Sequence, residues 1–249
     1  MSKTKKAVII GSVLVGIGVI IGFIGIAIGG FKFPNGAVDL TTMKALHTEK
    51  KTVQIADAFD KIEIAGASSM DIEICKSKTG KNYVEYYDTD DWTSRVDVKD
   101  HVLKFTTDDK GKHKAIVSLG FGKDTAARLY LVDAEYKEIA VTTLSGYVTI
   151  QDVNAETVNV SASSGDLYMK NIKASDSIMA TSSSGDIDLE NATAKQIELG
   201  ANSGDIEMQD ITAESLRMST SSGGIDLENC DAEGFDITTS SGDVDMEIT

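Results

Sequence analysis

SSGDIDLEN, residues 183–191, sets a hydroxyl pair and a glycine ahead of acids that alternate with aliphatics and a closing asparagine. NSGDIEMQD at 202–210, SSGGIDLEN at 221–229 and SSGDVDMEI at 240–248 repeat it. Aligned on the turn glycine, the series is Gly146, Gly165, Gly185, Gly204, Gly223 and Gly242, with steps of 19, 20, 19, 19 and 19 residues. Self-similarity at such a period is the mark of a solenoid, in which each unit buries its apolar face only by stacking on the next.

Each position in the repeat has a physical reading. The second and fourth residues after each glycine are apolar, as in Leu167 and Met169, Ile187 and Leu189, Ile206 and Met208, while their neighbours are mostly polar. That period of two is a strand with one face inward and one in water. The sixth position is Asp152, Asn171, Asn191, Asp210 and Asn229, residue types that tolerate left-handed backbone and so turn a corner. The seventh is apolar and includes Cys230, which acts there as a small hydrophobe; the ninth is alanine in Ala155, Ala174, Ala194, Ala213 and Ala232. A second apolar pair follows, such as Ile197 and Leu199. The expected fold is an all-β parallel solenoid with two strands per turn, and the turn glycine is expected to supply positive φ. A degenerate rung through Leu129, Leu131, Ala134, Ile139 and Val141 is expected directly before Gly146.

Charge is divided unevenly. From Gly146 onward there are 20 Asp or Glu against 4 Lys or Arg, whereas the first 145 residues hold 19 against 20, out of a net charge of −15. Such acidity excludes nucleic acid and adsorption to anionic lipid. Two acidic columns are expected, Asp166, Asp186, Asp205 and Asp243 just after the glycine, and Asp188, Glu207, Asp226 and Asp245 two residues further on. Carboxylates about 5 Å apart in water repel by roughly 0.8 kcal/mol before screening. One buried Ile or Leu contributes roughly 1.5 to 3 kcal/mol, so the fold tolerates the columns without a counter-ion. A calcium site is not expected, because ladder carboxylates do not by themselves converge as six to eight oxygen ligands must. The residual candidate is an electrostatic face for a cationic peptide, protein or wall ligand.

Catalytic signals are weak. His47, His101 and His113 are scattered, and no histidine accompanies the Ser pairs Ser163–Ser164, Ser183–Ser184, Ser221–Ser222 and Ser240–Ser241. Cys75 and Cys230 make neither a disulfide framework nor a metal motif, and no cofactor is expected. Trp92 falls in a DTDDW turn signal.

The N-terminus is a different material. Ala7 to Phe31 holds no charged residue and follows Lys3, Lys5 and Lys6. As a helix, those 25 residues exceed the roughly 30 Å hydrocarbon core, so residues 1–31 are expected to be a cytoplasmic stub and an uncleaved membrane span. The lysines place the N-terminus in the cytoplasm and the rest outside. Gly11, Gly18, Gly22, Gly25 and Gly29 line one face, the arrangement that admits self-association or a membrane-protein partner. Residues 32–52 are expected as a linker, 53–126 as irregular strands and 127–249 as regular rungs.

FDKIEIAGASSMDIEI at 59–74, with Phe59, Ile62 and Ile64, joins the turn Ser-Gly pairs and the apolar pairs after them in a recognisable whole. Over about residues 53–249 the chain resembles the toastrack β-repeat family of adhesin-like domains, common in Gram-positive bacteria. The resemblance implies no catalytic residues. Family members with an N-terminal span look like accessory proteins of cell-envelope stress systems, including Lia-type operons that respond to wall-active antibiotics and cationic peptides. The function expected is therefore a membrane-anchored binding or scaffold module, not an enzyme. A surface adhesin is the alternative, and an enzyme acting on wall polysaccharide is third.

Overall fold

A computed structural model describes residues 32–33, 36–37, 49–67, 70–88, 92–109 and 126–247. The chain divides into two compact units, Met1–His47 and Thr48–Thr249. In the first, β1 (Lys32–Phe33) and β2 (Gly36–Ala37) form an antiparallel pair inside the segment expected to be linker. The expected span and its glycines lie outside the described residues; among those described, no helix is long and apolar enough to cross a membrane.

The second unit begins with seven short strands: β3 (Glu49–Gln54), β4 (Lys61–Ala67), β5 (Ile72–Lys76), β6 (Tyr83–Asp88), β7 (Trp92–Lys99), β8 (Val102–Asp109) and β9 (Ala127–Leu131). It continues with β10 (Glu135–Ser145), β11 (Val148–Ser164), β12 (Leu167–Ser182), β13 (Ile187–Ala201), β14 (Ile206–Thr220), β15 (Ile225–Thr239) and β16 (Val244–Glu247). From β10 to β16 each strand pairs in parallel with the next. The register superposes the repeat on itself, so Val148, Leu167, Ile187, Ile206, Ile225 and Val244 form one column.

Each rung has three inward-facing stretches, one more than the two strands expected. In β13 the inward residues are Ile187 and Leu189, then Ala192 and Ala194, then Ile197, Leu199 and Ala201. Two outward pairs, Glu190–Asn191 and Lys195–Gln196, interrupt the alternation and mark the corners. The alanine column is thus the core of a short middle side. The extra residue of the 20-residue repeat is absorbed at the second corner, where pairing skips from Lys173 to Ser177.

The first corner behaves as expected. Asp152, Asn171, Asn191, Asp210 and Asn229 have φ of 56°, 54°, 52°, 56° and 54°. Left-handed backbone costs most residues about 1 to 2 kcal/mol, and Asn or Asp visit it more readily through local side-chain bonds. Here the side chains bond across rungs: Asn171 Nδ2 donates to Asp152 Oδ1 and Asn191 Nδ2 to Asn171 Oδ1, both at 2.6 Å, and Asn229 donates to Asp210.

The turn glycines are needed for a different reason from the one expected. Of the six, only Gly146 has a left-handed φ, 146°. A Cβ on Gly165, Gly185, Gly204, Gly223 or Gly242 would fall well inside 3.0 Å of the carbonyl oxygen of the glycine one rung below. Backbone passes so close to backbone that no side chain fits between them. Gly146 meets the carbonyl of Met70 in the same way.

That contact locates an unforeseen rung. The sequence SSMDIEI at 68–74 carries the turn-and-strand pattern with Met70 in the glycine column, and β5 pairs with β11 through Ile72↔Val148 and Ile74↔Ile150. The degenerate rung expected directly before Gly146 is therefore split. β10 does lie beside β11, but Leu129 and Leu131 of β9 sit one strand further off, against β5. Beyond β5 and β9 the first side ends in antiparallel β6 and β3, and the third side runs from β10 through β4 and β8 to antiparallel β7. Trp92, expected in a turn, opens β7. One core runs the length of the unit, from Leu103 and Phe105 through Ile62, Ile139 and Ile150 to Leu227.

Gly204→Ala forces backbone apart at the stack and should lower stability by about 1 to 3 kcal/mol, as overpacking does. Gly200→Ala should be neutral or stabilising by up to about 1 kcal/mol, since a Cβ there meets nothing closer than 3.6 Å. Urea unfolding of the two variants checks the contrast.

Candidate functional site

The eight acids singled out in the sequence do not form one surface. The structure sorts them into two columns with different work. In the turn column, the carboxylates of Asp166, Asp186 and Asp205 each accept a hydrogen bond from the backbone one rung on. Asp186 N–H donates to Asp166 Oδ1 at 3.1 Å, Asp205 N–H to Asp186 Oδ1 at 2.9 Å, and Gly224 N–H to Asp205 Oδ1 at 2.7 Å. Asp71 does the same for Tyr147 N–H at 2.9 Å, which confirms the SSMDIEI stretch as a rung. These acids serve as backbone acceptors where the strand ladder is interrupted by the turn. Gly224 has no side chain with which to continue the series to Asp243.

The second column is different. Asp188, Glu207, Asp226 and Asp245 follow Tyr168 in register on the outer surface of the first side. Beside it runs Lys170, Glu190, Gln209, Glu228 and Glu247. The lower end of this face is neutralised. Lys170 Nζ lies 2.5 Å from Glu190 Oε1, and the Tyr168 hydroxyl donates to Glu190 Oε2 at 3.0 Å. Those bonds hold the Glu190 carboxyl below its usual range, and Glu190 in turn raises the Lys170 ammonium. Above that pair, among the described residues, no Lys or Arg forms an ion pair with Asp188, Glu207, Asp226, Glu228, Asp245 or Glu247.

Asp188 is the most constrained member. Partial burial pushes its carboxyl pKa up, and Glu207, Asp186 and Asp166 add repulsion in the same direction. It lines a shallow groove with Tyr168, Glu207 and Asp226. Elsewhere in the unit, charges are matched across strands: Lys104 with Glu63 at 2.7 Å, Lys61 with Glu138 at 3.1 Å, and Arg128 with Glu73 through bonds of 2.7 and 2.9 Å.

Sequence reading missed Glu228 and Glu247. Their signal was available, since they share the outward parity of Asp226 and Asp245 two residues later. It also missed the hydroxyls beneath the turn: Ser182 Oγ, Thr220 Oγ1 and Thr239 Oγ1 donate to the carbonyls of Gly165, Gly204 and Gly223 at 3.2, 3.1 and 3.1 Å. Ser163–Ser164 end β11 and the other Ser pairs lie in the turns, where Ser183 N–H and Ser203 N–H bond backbone carbonyls of neighbouring rungs. His101 is exposed in a tight β7–β8 turn with φ of 64°, and its carbonyl accepts from Asp60 and Lys61 N–H. His47 and His113 lie outside the described residues. Cys230 is buried with its sulfur 3.5 Å from the Glu228 carbonyl, and burial pushes its thiol pKa up. No cluster of three metal-ligating side chains occurs among the described residues.

Asp186→Ala removes an acceptor and should cost about 1 kcal/mol, whereas Asp186→Asn keeps the acceptor and most of the stability; thermal unfolding separates a hydrogen-bonding role from a purely ionic one. A carboxyl whose folded pKa is raised destabilises the fold when ionised, so stability should rise as pH falls from neutrality through the folded pKa of Asp188. Asp188→Asn should raise the melting temperature at pH 7 and flatten that pH response.

The Toastrack DUF4097 family matches residues 59–249. Among solved structures, a "putative adhesin" from Bacteroides fragilis has a TM-score of 0.51 at 17% identity, over 80% of this chain and 96% of that one. A "putative cell adhesion protein" from Clostridium sporogenes has a TM-score of 0.44 at 12% identity, over 82% and 100%. No curated protein matches the sequence significantly.

Proposed function

We propose, from the premise that the chain belongs to the Toastrack DUF4097 family, that it is a binding or scaffold module without catalytic activity, docking a cationic partner on the first side of its solenoid. The observation that carries this reading is the column Asp188, Glu207, Asp226 and Asp245, stacked rung on rung with no matching cation among the described residues. Three like-charge steps of roughly 0.8 kcal/mol each are retained along this column. A cationic segment laid along the column relieves all three together, and attraction to a focused patch speeds its arrival.

The uncharged stretch Ala7–Phe31 behind three lysines supports an N-in membrane anchor with the solenoid outside. The resemblance to anchored toastrack proteins of envelope-stress systems supports a setting in which the domain meets cationic peptides. The adhesin alternative rests on the likeness to the putative adhesin from Bacteroides fragilis, a likeness of fold.

Intact cells displaying the full chain should bind a fluorescent lysine-rich peptide that cannot cross membranes. Replacing Asp188, Glu207 and Asp226 by their amides should weaken binding by about tenfold and reduce its salt dependence. Binding seen only after lysis overturns the topology. Unchanged binding by the amide variant overturns the face.

A further inference from the structure

Gly200 is a glycine that the fold does not require. Its φ lies outside the left-handed region. A Cβ there would meet only the side chains of Ser219 and Thr181, at 3.6 and 3.7 Å, which is ordinary contact. The turn glycines, by contrast, are fixed by the carbonyl one rung below. Glycine inside a strand weakens it, and where packing does not demand one it marks a place where another molecule comes close. Gly200 sits on the outer surface of the third side, on the same strand as Glu198. Met179 and Thr181 flank the two on one neighbouring strand, Arg217 and Ser219 on the other. Met179 is 43% exposed, so an apolar side chain stands beside a notch floored by glycine and walled by hydroxyls.

The face around the notch is close to neutral, unlike the first side. Thr142, Ser161, Thr181, Gly200, Ser219 and Thr238 form one file without an ionisable side chain. Over β10–β15 the other outward charges of this side are Glu138, matched by Lys61 at 3.1 Å, Arg217, matched by Asp236 at 3.1 Å, and Glu198. We infer that this face binds an extended, uncharged polysaccharide strand, laid across the rungs with one sugar seated over Gly200. Hydroxyl side chains both donate and accept, which suits a ligand whose own polar groups are hydroxyls. The Glu198 carboxylate accepts from such groups, and the flexible Met179 thioether packs on the C–H surface of the ring. A polycation is drawn to the acidic first side instead. A second copy is disfavoured by area: five strands about 4.8 Å apart and five residues at about 3.3 Å each make a patch of roughly 400 Å². That is about half of the ~800 Å² per partner in a stable protein interface, and Ser and Thr are poor anchors there. The inference goes beyond cationic docking and uses no residue of the first side.

The full chain is titrated with cellohexaose, an extended uncharged glucose hexamer, and with maltohexaose, a coiled one of the same composition. Cellohexaose at millimolar concentration should shift the amide resonances of Met179, Thr181, Gly200 and Ser219, independently of salt, and maltohexaose should not. Gly200→Val fills the notch and should weaken that binding by about tenfold. Its melting temperature should stay the same or rise, since β-branched residues suit an outer strand face. Met179→Ser should weaken binding without loss of stability, the side chain being exposed already. Replacing Asp188, Glu207 and Asp226 by amides should leave cellohexaose binding intact, and Gly200→Val should leave binding of the lysine-rich peptide intact, which separates the two faces. No shift with cellohexaose, equal binding of the two sugars, or unchanged binding by Gly200→Val overturns the proposal. A lower melting temperature in Gly200→Val also overturns it, by making the glycine structural. So do shifts at these amides that grow with protein concentration alone, which would assign the face to a second copy.

Discussion

Backbone passing over backbone at the turn is the contact on which the rest of this solenoid depends. The carbonyl oxygen of each turn glycine occupies the place where the next glycine would carry a Cβ. No other residue type permits that approach, so each rung is drawn onto the last at one distance and in one register. The hydroxyls of Ser182, Thr220 and Thr239, bound to those same carbonyls, tie the inner side of the turn. The carboxylates of Asp166, Asp186 and Asp205 tie its outer side. The turn is clamped from both flanks, and the clamp is what makes every column straight.

Straight columns bring an electrostatic consequence. Where sequence repeats, like meets like on neighbouring rungs, and each polar column must resolve the encounter. The corner column does so with amides, each Asn donating to the residue beneath it. The turn column converts its acids into acceptors for backbone. The third side alternates sign, with Glu198, Arg217 and Asp236 in one file. The first side leaves its charges unresolved over three successive steps, and Asp188, half-buried and close to other carboxylates, has a raised pKa.

Much of this was legible before any coordinates. A period of 19 residues, the inward parity of Ile187 and Leu189, and the Asx corner follow from local rules that hold rung after rung. What escaped depends on which strand lies beside which. Parity alone cannot separate two sides from three, because Lys195–Gln196 resembles a loop until its neighbours are known. Glycine in a turn suggests positive φ, and nothing in one rung shows that the rung below is the true constraint. The insertion of β5 between β9 and β11 was hidden because Met70 occupies a column where glycine defines the pattern. The acidic columns looked alike in sequence and parted only when their hydrogen bonds were seen.

The distribution of acid argues against reading the first side as mere solubility. Net charge keeps a protein dispersed wherever it is placed, and this chain had other surfaces available. The outward column of the middle side reads Glu135, Asn154, Lys173, Thr193, Thr212 and Asp231, with two acids and one base over six rungs. Nor do acids on inner rungs guard against strand-to-strand aggregation. Asp188, Glu207 and Asp226 lie on strands paired at both edges, which expose no ladder to a stray chain. Protection of that kind is needed only at the ends of the stack, where Asp245 and Glu247 stand. Carboxylates stacked on one lateral face, at a cost in repulsion and with no edge to defend, are the feature on which the proposed cationic partner rests.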